Sequence, residues 1–177
     1  MDMTPVTDIV DLGQLGLKPG GAIRFDALVR VGEFVYGGQT YLLRTDPVPV
    51  TVDVSRTSSG SVIRVRTSNA LQGPCMRCNA DYTMPVTIDH KEVHEPHLDE
   101  ELASDYVKEQ DLDLAALVRD AIGLCLPTSI SSPVDDDGVC IECEGSAERL
   151  AKLRDSEPEP EAPLPDPRWA KLRELEL

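Results

Sequence analysis

The chain has 177 residues, 41% of them apolar but only 4% aromatic, and its 32 Asp and Glu against 17 Lys and Arg leave a net charge of −15 at pH 7. That length holds one ordinary core, or a compact unit with a helical appendage, and a core so poor in aromatics must be built from Val, Leu and Ile. So negative a field repels nucleic-acid phosphates over most of the surface, which argues against DNA as a partner and leaves RNA approachable only through a local basic patch or a basic protein.

No apolar run approaches the ~18 residues of a membrane helix. The start, Met1 to Pro5, has neither a basic region nor an apolar stretch behind it, so no membrane contact and a cytoplasmic location are expected. Five cysteines, an odd count without a secretory signal, favour metal ligation or reduced thiols over a disulfide framework.

In chain order, Ile9 to Gly21 begins strand-like and ends in a turn punctuated by glycine and Pro19. That turn has no Gly-Lys-Ser/Thr ending and no Gly-x-Gly-x-x-Gly, so it is not a phosphate loop. From Ala22 the period becomes two, with Ile23, Phe25, Ala27 and Val29 on one face. The Gly37-Gly38 turn leads to a short strand at Tyr41 to Leu43. Val48, Val50, Val52 and Val54 alternate with polar residues, and Pro49 predicts either an edge position or the first residues of that strand. Ser58-Ser59-Gly60 is a hairpin signal. Beyond it, Val62 to Leu71 predicts a long strand leading to Cys75, and Met84 to Asp89 a short one.

These strands, joined by short turns without a helical crossover, predict an antiparallel sheet or partly closed barrel over residues 1–93. The fold class is therefore α+β or mainly β. Residues 92–113 are strongly acidic and read as a solvated loop or an acidic docking face. Leu114, Leu117, Val118, Ala121, Ile122, Leu124 and Cys125 recur at helical spacing until Pro127, behind an acidic first turn that suits the dipole. The apolar face of this helix is expected against the open side of the sheet, with Cys125 a buried thiol.

A polar loop with Asp135, Asp136 and Asp137 follows, then a short helix over 146–154. Beyond it come an extended Pro/Glu spacer and an amphipathic tail capped by Asp166, with Trp169 and Leu172 as its apolar stripe. Residues 94–145 are expected to complete the domain begun by 1–93, with 146–177 forming the appendage.

Site chemistry rests on two Cys-x-x-Cys pairs, Cys75 with Cys78 and Cys140 with Cys143. Each pair can chelate zinc from a tight turn, and two pairs complete a tetrahedral shell with no open position, so the metal would be structural. Zinc at this clip stands against two reduced thiol pairs, or a redox dithiol. A redox dithiol usually places its reactive Cys at a helix N-terminus, and no good helix-forming run follows Cys75.

All three histidines fall close together, at 90, 94 and 97. With the first Cys pair, His90 and His94 nearly match a zinc finger, yet Pro85, Val86, Thr87 and Ile88 bring the chain into His90 as a strand. No Gly-x-Ser-x-Gly or His-Glu-x-x-His motif is present, and the carboxylate clusters lack the apolar surroundings that tune a pKa. No enzymatic activity is expected.

The order of features carries a further signal. Val10-Asp11-Leu12-Gly13-Gln14-Leu15-Gly16 opens the chain. Gly-Pro-Cys-x-Arg-Cys stands at 73–78, and an acidic stretch then leads to the apolar segment from Leu112 to Pro127. Gly138-Val139-Cys140-Ile141-Glu142-Cys143 follows, and Asp166-Pro167-Arg168-Trp169-Ala170-Lys171-Leu172 closes the chain. This order resembles the YceD family, the large ribosomal RNA subunit accumulation proteins, over nearly the whole length. The tail is similar to the form in actinobacterial members.

The resemblance implies a non-enzymatic role in synthesis, processing or stability of 23S ribosomal RNA, and places Cys75, Cys78, Cys140 and Cys143 at the family's cysteine positions. Ribosomal proteins or pre-ribosomal RNA are then the expected partners, with Arg64, Arg66 and Arg77 as the local route to RNA. Family members commonly carry two more cysteines between the helix and the last Cys-x-x-Cys. This chain has none there, which leaves the four thiols of one zinc site or a degenerate site that binds nothing. The competing functions are an acidic adaptor docking through Trp169 and Leu172, and a dithiol oxidoreductase.

Overall fold

A computed structural model describes residues 5–96, 104–143, 147–148 and 151–152. The Pro/Glu spacer and the tail with Trp169 and Leu172 lie outside the described residues, as does His97. Of the short helix expected over 146–154, residues 147–148 and 151–152 are described and are helical.

The elements are β1 (Ile9–Asp11), β2 (Ala22–Val29), β3 (Phe34–Tyr36), β4 (Gln39–Leu43), β5 (Val48–Arg56), β6 (Ser61–Pro74), β7 (Asp81–His94), β8 (Val107–Lys108), β9 (Asp111–Asp113) and α1 (Leu114–Cys125). The strands form two antiparallel sheets. Long β6 organises the larger one. One edge pairs first with β5, from Arg56↔Ser61 to Thr51↔Arg66, and then with β4 at Leu43↔Leu71 and Leu42↔Gln72. Its other edge pairs with β7 along its whole length, from Ser61↔His94 to Pro74↔Asp81. β2 extends the sheet beyond β5, and β3 extends it beyond β4. The small sheet has the order β1-β9-β8.

Among the described residues no closed barrel forms. β2 and β7 end the sheet without pairing to each other, and α1 packs against both of them and against β1. The helix therefore fills the gap that a barrel would close with hydrogen bonds. Its Leu114, Leu117, Val118, Ala121 and Ile122 are buried and belong to the same core as Val48, Val52, Val54, Ile63 and Val65 of the sheet. Asp113 caps the helix, its carboxylate accepting from the Ala116 N–H at 2.9 Å.

Several expectations need correction. Of the two positions that Pro49 predicts, the edge is excluded, because β5 lies between β2 and β6, and the start of the strand is the one observed. Pro49 is the second residue of its strand. Its carbonyl faces β6 and accepts from Thr67 Oγ1 at 2.7 Å, so its missing N–H lies on the side where the β5–β6 ladder has already ended. Ile23 is exposed and Phe25 only half-buried, since the first half of β2 projects beyond the core. β7 has 14 residues where a short strand was expected, and Pro85 is tolerated because β7 pairs on one edge only.

The acidic segment holds β8 and β9 and buries Val107 and Leu112, so it is more than a solvated loop. Cys125 is exposed, because the last turn of α1 runs past the sheet, and Leu124 beside it is 79% exposed. The first helical turn itself holds no acidic residue; Asp113 stands just before it. Among the described residues no helix is long and apolar enough to cross a membrane.

Candidate metal centre

The first Cys-x-x-Cys pair sits in the turn between β6 and β7, and the second follows the loop after α1. Gly73 and Pro74 end β6, and a Cβ at Gly73 would collide with the ring of fully buried Tyr41. Tyr41 donates its hydroxyl to the Pro74 carbonyl at 2.9 Å, which fixes the chain just before Cys75. The turn closes through Cys75 N–H to Ala80 O at 2.7 Å and Asn79 N–H to Cys75 O at 2.8 Å. Asn79 takes a left-handed φ of 56°, a conformation this residue type tolerates better than most. The second pair is entered through a turn held by Asp135, whose Oδ1 accepts from the Asp137 and Val139 N–H groups. The three adjacent aspartates thus shape a solvated turn.

One short segment joins the two turns. Met76 N–H donates to Ile130 O at 2.9 Å, and Ile141 N–H donates to Pro133 O at 3.0 Å. Ser132 Oγ accepts from the Glu142 N–H at 3.0 Å. Ile130 and Ser132 are both buried. No sequence signal marks them, because a lone Ile and Ser in a polar loop show no period.

All four cysteines are buried, and their sulfurs lie within 4.8 Å of one another. The Cys75 and Cys140 sulfurs are 3.8 Å apart. A zinc ion bonded to four sulfurs at about 2.3 Å in a tetrahedron separates neighbouring sulfurs by about 3.8 Å. A disulfide needs about 2.05 Å, so these two are not bonded to each other. The donor set and its dimensions fit a structural zinc ion.

The electrostatics agree. Burial pushes the Cys75 thiol up, but the backbone N–H groups of Cys78, Ser132 and Arg77 outweigh it and bring the thiol down to about 7. Burial, reinforced by the neighbouring sulfurs of Cys78 and Cys75, pushes Cys140 and Cys143 up to about 12. The backbone thus stabilises a thiolate on the first turn, while four thiolates together require a cation among them.

The finger alternative fails on geometry. His94 pairs with Ser61 at the far end of β6 from Cys75, and His90 approaches Glu92 at 3.6 Å. Of the arginines singled out, Arg64 binds Asp89 at 2.6 and 2.5 Å through two nitrogens, and Arg66 binds Asp53 at 2.7 Å. Arg77 is exposed between the first two cysteines and makes no ion pair among the described residues.

Residues 63–176 match the family model described as large ribosomal RNA subunit accumulation protein YceD. An uncharacterized protein of Mycobacterium bovis and two from strains of Mycobacterium tuberculosis are each 30% identical over 183 residues, covering 97% of this chain and 82% of the relative. No solved structure matches the chain.

Proposed function

The chain belongs to the YceD family, the large ribosomal RNA subunit accumulation proteins, and from that membership we propose that it is a non-enzymatic factor supporting synthesis, processing or stability of 23S ribosomal RNA and large-subunit assembly. The family match carries the reading. Charge supports a particular division of labour: with a net charge of −15, the favourable direct contacts are basic ribosomal proteins, in the cytoplasm, and RNA is reached locally.

Arg77 is the arginine best suited to that local contact, since Arg64 and Arg66 are already held by carboxylates. The tail with Trp169 and Leu172 supplies a second contact. Cys75, Cys78, Cys140 and Cys143 hold zinc, which ties the β6–β7 turn to the loop after α1. A site closed by four protein ligands offers no position for substrate, so the metal serves the fold.

Capture of the full chain from lysate at physiological salt tests this reading. Ribosomal proteins and precursor 23S RNA are expected in the eluate, and Arg77→Glu is expected to reduce the RNA more than the protein. An eluate with neither contradicts a ribosomal role. Deleting residues 157–177 separates the adaptor alternative: an adaptor loses all partners, whereas the ribosomal factor retains those bound by the body.

A further inference from the structure

One cavity lies far from the cysteines, at the opposite end of β6. It measures about 170 Å³ and lies between the loop carrying Gly13 and Gly16 and the inner sheet face at Val54, Arg56 and Ser61, with Gln110 at its side. Arg56, Ser61 and His94 are direct cross-strand partners on β5, β6 and β7, so their side chains form one row on the same face. Arg56 Nη1 donates to Ser61 Oγ at 3.1 Å. That is its one side-chain bond among the described residues, and no carboxylate pairs with it there.

Ser61 is 2% exposed and His94 8% exposed. The Nδ1 of His94 is buried without a hydrogen-bond partner among the described residues. A buried polar atom left unpaired costs free energy, and a half-buried guanidinium without a counter-ion is unusual in a chain this acidic. Glu92, the nearest carboxylate on β7, turns to His90 at 3.6 Å. Burial holds the His94 imidazole below its ordinary value, with the Arg56 cation pushing the same way and Glu92 opposing. An anion placed beside Arg56 would reverse the effect of that cation.

We propose that this cavity binds a phosphate group, held by the Arg56 guanidinium and the Ser61 hydroxyl, with the Gln110 amide at its side; His94, next to Ser61 in the row, lies outside the cavity's lining and reports on it as a neighbour. The Ser61 hydroxyl accepts from Arg56 and keeps its own hydrogen for the ligand. The guanidinium retains nitrogens for a forked contact with two oxygens. The volume suits a phosphate group and leaves any attached nucleoside outside, so free phosphate and the terminal phosphate of a nucleotide are the two sources to distinguish.

The test is NMR titration of the full chain with inorganic phosphate, and in parallel with a nucleoside 5′-monophosphate, at constant ionic strength against chloride. Saturable shifts of the His94 ring and the Arg56 Nε–H are expected. Arg56→Gln should weaken binding roughly tenfold to a hundredfold, the range for a hydrogen bond to a charged group. Ser61→Ala, a smaller change, should weaken it less. Should Arg56→Gln fail to fold, Arg56→Lys keeps the charge and removes the fork, and weaker binding by that variant supports the site equally. Tighter binding of the nucleotide identifies it as the source, and equal affinity identifies free phosphate as sufficient. Shifts that do not saturate, that chloride reproduces, or that survive unchanged in the Arg56 variants overturn the proposal.

Discussion

Cys75 and Cys140 are 65 positions apart in sequence and 3.8 Å apart at their sulfurs. Between them run the whole of β7, the strands β8 and β9 of the small sheet, and α1. Fastening this pair therefore closes a loop that contains much of the second half of the structure, and closing long loops restricts the unfolded chain most.

The segment from Ile130 to Pro133 holds the two cysteine turns together before any metal is considered. Ser132→Ala removes the acceptor for the Glu142 N–H and is expected to cost about 1 kcal/mol. Thermal unfolding should report a drop of roughly 2–4 °C. A larger share of the effect should appear in metal-stripped protein, where this hydrogen bond is no longer backed by coordination.

α1 stands where a barrel would close, and Leu117 is 1% exposed on its buried face. Leu117→Ala should destabilise the protein by about 2–5 kcal/mol, the range for leucine truncation in a packed core. Denaturant unfolding measures it. Leu124→Ala, on the exposed last turn, should change stability by no more than about 0.5 kcal/mol.

On the outer sheet face, Asp53 accepts from Arg24 and from Arg66. The hydrogen bond from Arg24 holds its carboxyl below the ordinary 3.8, burial opposes, and the charge of Arg24 and the bond from Arg66 add to the lowering. A carboxyl lowered in the folded state binds fewer protons than in the unfolded chain, so its contribution is complete above the ordinary value and is lost as pH falls through the lowered one. Asp53→Asn should lower stability in the neutral region and leave it nearly unchanged at low pH, where Asp53 is already protonated, so that the acid limb of stability below about 4 becomes flatter. Unfolding midpoints measured across that range provide the comparison.

What the sequence displayed depended on period and punctuation. Val48 to Val54 alternate without interruption and form the buried face of β5, and Asp113, the apolar spacing after it and Pro127 bound α1 closely. The apolar alternation shows only part of β7, because its inner face carries His90 and Glu92 beyond Ile88 and the alternation stops while the ladder continues to His94. β8 and β9 were hidden because each buries a single residue, Val107 or Leu112, inside an acidic run. The four cysteines were legible as candidates from spacing. Their convergence was not, because it depends on Ile130, Ser132 and Pro133, whose hydrogen bonds cross between segments. Cys125 misled for a related reason: helical spacing gives its face but not where the sheet beneath it ends.

Metal content of freshly purified, untagged full-length protein, taken with its thermal stability, is the most direct measurement. One zinc per chain is expected, lost together with several kcal/mol of stability when either Cys75 or Cys143 is changed to serine, since a shared site needs both turns. Metal-free protein as stable as the same protein supplied with zinc, or zinc retained after one of those substitutions, would contradict a clip made by all four cysteines.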